Sequence, residues 1–174
     1  YNELGQLMLK KLHMARDTSY VQDIDYKYDV RGWLKSINNY SDTTFRKLYA
    51  QDLTYNPNGN ISSMSWKNTL LDNKSFVEPG IKRTYNFGYD GLNRMTSATY
   101  THIEDVTGAT NSGMFDVNIP LYDQNGNIKS LTRNGNRAIS GMPFDQGPID
   151  NLTYNYADNS NMLSSVTDDA TGVS

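Results

Sequence analysis

Six tyrosines, Tyr1, Tyr28, Tyr55, Tyr89, Tyr122 and Tyr156, recur at intervals of 27, 27, 34, 33 and 34 residues, each followed by a related motif. The clearest copy is Tyr122-Asp123-Gln124-Asn125-Gly126-Asn127-Ile128-Lys129-Ser130-Leu131-Thr132. An aromatic residue and an Asp close one extended run, a polar Asn-Gly segment reverses the chain, and a second extended run begins at Ile128. Asn and Gly tolerate the positive φ that tight turns demand, so the pattern is a strong hairpin signal. A period in this range marks an array whose units bury their faces only against neighbours. The expected fold is all-β, an array of antiparallel β-hairpins. Its copies fall near residues 1–9, 28–37, 55–66, 89–100, 122–133 and 156–167, with no domain boundary between them.

The runs leading into the tyrosines support strands. Ile24, Tyr26 and Tyr28 alternate with Asp23, Asp25 and Lys27, and similar alternation leads into Tyr89 and Tyr156, as in strands buried on one face. The 13 Tyr suit such strands, with the ring packed and the hydroxyl left in water. Twenty Asn beside 13 Gly suit tight turns better than long helices. Asn93 stands where other copies have Gly32, Gly59 and Gly126, and Asn is the next best residue for a left-handed conformation. After the first copy, Leu4, Leu7, Met8 and Leu12 have helical spacing, but Gly5 at the turn position favours a strand. The long returns 67–84, 101–120 and 134–151 carry Gly and Pro and are expected to be loops, where an array can place specificity.

The apolar phase breaks in every second strand. Leu34 and Ile37, Ile61 and Met64, Met95 and Ala98, and Ile128 and Leu131 sit six and nine positions after their Tyr. Residues three apart face opposite sides of a regular strand. Either a β-bulge falls near Ser36, Ser63, Ser97 and Ser130, or both sheet faces are partly covered. A bulge in each copy would curve the sheet.

These copies resemble the YD-repeat (Rhs-repeat) family, whose units follow a Tyr-Asp-x-x-Gly-Arg-Leu pattern with a Ser/Thr-rich tail. The resemblance runs from Tyr1 to Thr167. Departures include Asn2 and Asn56 for Asp, Asn60 and Asn127 for Arg, and an altered sixth turn. It implies a hairpin array that curls into a spiral shell or open barrel. Members include shells around bacterial toxins, bacterial wall or surface proteins, and teneurin-type adhesion proteins. The aspartyl self-cleavage motif of several members contains Asp-Pro-x-Gly, and this chain has no Asp-Pro dipeptide. The resemblance implies a secreted or cell-surface location.

Composition narrows the function classes. With 16 Lys and Arg against 19 Asp and Glu, the net charge is −3, which offers no broad basic face to nucleic acid. There is no Cys, hence no disulfide or thiolate metal site. No apolar run approaches the roughly 18 residues of a membrane span. The opening Tyr-Asn-Glu, with neither an initiator Met nor a signal peptide, suggests a piece of a longer protein. No Gly-x-Ser-x-Gly elbow accompanies His13 and His102, and no carboxylate pair stands out, so neither an enzyme nor a cofactor is expected.

Two site readings compete. For Asp29, Asp90 and Asp123, calcium binding is weighed against a carboxylate that accepts N–H groups of its own turn. The turn is favoured, because the EF-hand spacing is missing. Tyr28, Tyr55, Tyr89, Tyr122 and Tyr156 are read as structural aromatics, whereas Trp33 and Trp66 are candidates for stacking on sugars. The expected role is a non-enzymatic shell or scaffold whose partners are neighbouring repeats of the parent protein. Its alternatives are a carbohydrate-binding surface module and part of a shell enclosing a C-terminal toxin domain. Open sheet edges would favour self-association.

Overall fold

The computed structural model describes residues 1–14, 20–38, 48–68, 70–72, 75–77, 81–103, 110–139 and 142–170. Among them there are strands and turns but no helix. Two compact units emerge: Tyr1–Thr84 with His102–Thr110, and Tyr85–Thr101 with Asn111–Ser174.

In the first unit, β1 (Leu9–Met14), β2 (Tyr20–Tyr28), β3 (Leu34–Ile37), β4 (Tyr49–Tyr55) and β5 (Ile61–Asn68) lie side by side in chain order, each antiparallel to the next. A separate ribbon pairs β6 (Leu70–Asp72) with β7 (Ser75–Val77). The first residues of β8 (Lys82–Tyr89) also belong here, with Thr84 Oγ1 2.9 Å from Ser65 Oγ. The second unit holds the rest of β8, then β9 (Met95–Ile103) up to Thr101, β10 (Thr110–Ser112) from Asn111, β11 (Val117–Tyr122), β12 (Ile128–Ile139), β13 (Met142–Tyr156) and β14 (Leu163–Asp168). Its order is β8-β9-β11-β12-β13-β14, with β10 alongside β9. Short turns force each strand back onto its predecessor, which is why pairing follows the chain.

The phase break is a bulge. Tyr28 pairs with Leu34 but Lys27 pairs with Ser36, so Lys35 is left over. The same slip skips Ser62, Lys129 and Ser164, where Tyr55, Tyr122 and Tyr156 pair with Ile61, Ile128 and Leu163. The extra residue lies just before the Ser that recurs in these copies, and it lets the two apolar positions face one side of the sheet.

Burial is thin. Ala50, Leu53, Ala98, Tyr100 and Ile119 are buried, yet no large side chain among the described residues is fully enclosed. In the second unit Tyr100 anchors an aromatic cluster, its ring 5.3 Å from Tyr85 and 5.1 Å from Phe115. Asp116 Oδ1 accepts the Tyr100 N–H at 2.6 Å, holding the turn before β11 against β9. Buried Asn38, at φ 57°, is satisfied from both sides: Oδ1 accepts the Asp25 N–H and Nδ2 donates to Tyr49 O.

The long returns differ from the expected loops. The described parts of 67–84 include the β6–β7 ribbon, and those of 134–151, residues 134–139 and 142–151, extend the β12–β13 ladder. Gly135 opposes Gly147, and Ile149 lies over the space a Gly135 side chain would fill. Pro148, which has no N–H, sits opposite Asn134 where the register slips.

Candidate functional site: the junction between copies

The first five turns are built the same way, counting from each Tyr as position zero, whereas in the sixth the Ala157 N–H donates to Met162 O, one residue further on. The position-one N–H donates to the position-five carbonyl, and the position-four N–H returns to the position-one carbonyl. In the fifth copy these bonds are Asp123 N to Asn127 O, 2.9 Å, and Gly126 N to Asp123 O, 3.1 Å. Position four has positive φ at Gly5, Gly32, Gly59, Asn93 and Gly126, as a three-residue hairpin loop requires. One Asp oxygen accepts two N–H groups of its own turn: Asp29 from Arg31 and Trp33, Asp90 from Leu92 and Arg94, and Asp123 from Asn125 and Asn127. Asn2 does the same in the first copy. The Arg94 N–H is the main cause of Asp90's lowered pKa, and the Asn127 side-chain amide of Asp123's. Among the described residues no group of three or more His, Asp or Glu could hold a metal ion.

The tyrosines reach across copies. Tyr28 Oη donates to Leu7 O (3.1 Å), Tyr55 to Leu34 O (2.7 Å), Tyr122 to Met95 O (2.5 Å) and Tyr156 to Ile128 O (3.0 Å). Each acceptor is the position-six carbonyl of the preceding copy. The hydroxyls expected to remain in water are therefore bonded to backbone. Burial raises the pKa of Tyr55, Tyr89 and Tyr122 above the ordinary phenol value, and Asp29 adds to the effect at Tyr55.

The bond fills a gap. The paired register between copies ends at Leu9–Asp25, Ser36–Asp52, Ser97–Asn118 and Ser130–Thr153, three or four residues short of the next Tyr. Beyond it the tyrosine hydroxyl reaches the position-six carbonyl across this wedge, and at the first junction the Tyr26 N–H also donates to Met8 O at 2.9 Å. The sequence carried a signal for this: an apolar residue always follows the Tyr by six. Its partner lies one copy away, so no single motif could reveal the contact.

Position five closes the wedge from above. Arg94 stands 4.5 Å over the Tyr122 ring while its Nε donates to Asp90 Oδ2 at 2.7 Å. In the second copy Trp33 takes that place, its ring 5.1 Å from Tyr55. Arg31 lies over the indole at 4.9 Å and donates to Pro57 O, and a Cβ at Gly59 would stand 3.1 Å from it. The face of Trp33 is thus occupied by its own protein, unlike a free stacking platform. Trp66, half-buried on β5, sits opposite Gln51. It is five residues beyond Ile61, roughly 17 Å along the strand. The two tryptophans do not share a site.

A groove of about 400 Å³ remains in the wedge between the second and third copies, lined by Asp29, Arg31, Trp33, Lys35 and Tyr55 among others. Among the described residues no helix is long and apolar enough to cross a membrane. Compared with protein-family models and with curated proteins, the chain matches none.

Proposed function

We propose that this chain is a non-enzymatic structural segment of a large secreted or surface bacterial protein of the YD-repeat type, forming part of a scaffold or shell that encloses or displays other domains. The observation that supports this reading most is the repeated tyrosine-to-carbonyl bond at four junctions. A side chain spent in the same way at four junctions maintains an array, whereas a catalytic site differs from its surroundings. Among the described residues the strands β1 and β14 each border one strand only, and in the parent protein neighbouring repeats would pair them.

The test is protection. In the parent protein, a domain flanking the array should resist protease, and combined Tyr→Phe changes at residues 28, 55, 122 and 156 should expose it. Equal protection with the array removed would refute the scaffold role.

A further inference from the structure

One row across the first unit departs from the repeat. Lys27, Ser36 and Asp52 stand in register on β2, β3 and β4, each opposite the next, and Lys35 is the extra residue of the bulge beside Ser36. The residue before the repeat Tyr is Lys27 in the second copy but Thr54, Gly88, Leu121 and Asn155 in the later ones. The residue three before it is Asp52 in the third copy but Asn86, Ile119 and Thr153 afterwards. Charge has therefore been gathered at one place where the other junctions have none.

Residues in register point to the same side of a sheet, and strands lie about 4.8 Å apart, so the Lys27 and Asp52 backbones are roughly 10 Å apart with Ser36 between them. A groove of about 320 Å³ follows the row, lined by Lys27, Lys35, Ser36, Asp52, Leu53 and Thr54. Ser36 is buried, and among the described residues the Asp52 carboxylate and the Lys27 and Lys35 ammonium groups meet no hydrogen-bond partner. Burial raises the Asp52 pKa above the ordinary carboxylate value, against the pull of Lys27, of Lys82 on β8 and of Lys35. A carboxylate perturbed in this direction is a strong acceptor for a proton donor set against it.

The geometry points to a binding site for the hydrogen phosphate ion in this groove. The Lys27 and Lys35 ammonium groups and the Ser36 hydroxyl supply donors to its oxygens, and Asp52 accepts the proton that the ion carries. That proton turns the carboxylate from a repulsive group into a partner. Sulfate has no such proton at neutral pH, and Asp52 would only repel it. The three lysines around Asp52 balance its charge together with that of a dianion, and the same majority of ammonium groups disfavours a bound cation. The site does not rest on the scaffold reading, and either can fail alone.

The test is a chemical-shift titration of the isotopically labelled chain with inorganic phosphate, sulfate and methyl phosphate at matched ionic strength. At about pH 7.5 a phosphomonoester, with its second pKa near ~6, has lost its last proton, whereas inorganic phosphate keeps one. Saturable shifts are expected from phosphate at residues 27, 35–36 and 52–54, with both other anions bound about tenfold more weakly, a difference of about 1.4 kcal/mol. Lys27→Ala and Lys35→Ala should each weaken phosphate binding about tenfold, the loss expected for one charged donor. Lys129→Ala removes the same charge from the second unit and should leave binding unchanged. Asp52→Asn should weaken phosphate and strengthen sulfate, so that the ratio of the two affinities falls toward one while the spectrum stays dispersed. Absence of shifts at millimolar phosphate, equal affinity for sulfate or methyl phosphate, equal weakening by Lys129→Ala, or an unchanged phosphate-to-sulfate ratio in Asp52→Asn would each overturn the assignment.

Discussion

Replacing Tyr55 with Phe removes one oxygen, which donates to Leu34 O at 2.7 Å, and leaves the ring against Trp33. A hydrogen bond of this kind has a net value of about 0.5–1.5 kcal/mol. Leu34 is only half-buried, so water can partly replace the lost donor and the expected cost is about 1 kcal/mol. Each copy contributes two strands about 4.8 Å apart, placing successive junctions roughly 10 Å from one another. That is far enough for near-additive effects, so Tyr28→Phe with Tyr55→Phe should cost the first unit about 2 kcal/mol. Two compact units make a single unfolding midpoint ambiguous. Native-state hydrogen exchange is the better assay, and strands β3 and β4 should exchange about fivefold faster in Tyr55→Phe. Tyr154→Phe is the control, because that hydroxyl has no hydrogen bond among the described residues. Exchange in Tyr55→Phe indistinguishable from the control would refute the idea that the hydroxyl joins the copies.

Asn93, at φ 64°, should lose about 1–2 kcal/mol on change to Ala and almost nothing on change to Gly, measured as local exchange in the fourth hairpin. Gly135→Ala would set a Cβ 2.6 Å from Ile149 Cδ1, and overpacking of about 1–3 kcal/mol should appear in β12 and β13, relieved in part by Ile149→Val. High pH should also destabilise the fold. Tyr49, Tyr55, Tyr85, Tyr89 and Tyr122 have pKa values raised above 10.0, chiefly by burial. The folded chain therefore holds these protons more tightly than the unfolded chain does. The stabilisation is complete below pH 10.0 and is lost as pH rises through the folded values. Urea midpoints that stay constant while phenolate absorbance rises would contradict this.

The sequence exposed the local half of the architecture. Tyrosine recurrence located the hairpins, the Gly or Asn at position four located the positive φ, and the three-residue apolar spacing allowed either a bulge or two partly covered faces, of which the bulge is found beside Ser36, Ser63 and Ser130. Each of these is a short-range property of the backbone. The tyrosine hydroxyls were misjudged because their acceptors lie 21 to 28 residues away and become accessible only when the bulge and the neighbouring copy are both in place. The return 134–151 was misjudged for a different reason. Gly135, Gly147 and Pro148 break strands when considered singly, but opposite one another they leave room for Ile149 and put the missing N–H at a register slip. Trp33 had two readings, and the residues around it come from a neighbouring turn and its own: Arg31 lies over the indole, Tyr55 packs beside it and Gly59 runs close to its edge.

The wedge has a mechanical consequence within each unit. Away from the turns, adjacent copies share a run of backbone bonds that resists sliding as a block. At the turn margin of the four junctions described, the copies are fastened chiefly by side chains, a phenolic hydroxyl together with groups such as Gln6, Arg31, Arg94 or Asn127. Tension drawn along the strands meets many bonds at once, but tension that spreads the turn margin meets them singly. Such a sheet is stiff lengthwise and compliant along one border, like pages bound at a single edge, and the tyrosines act as its clasps.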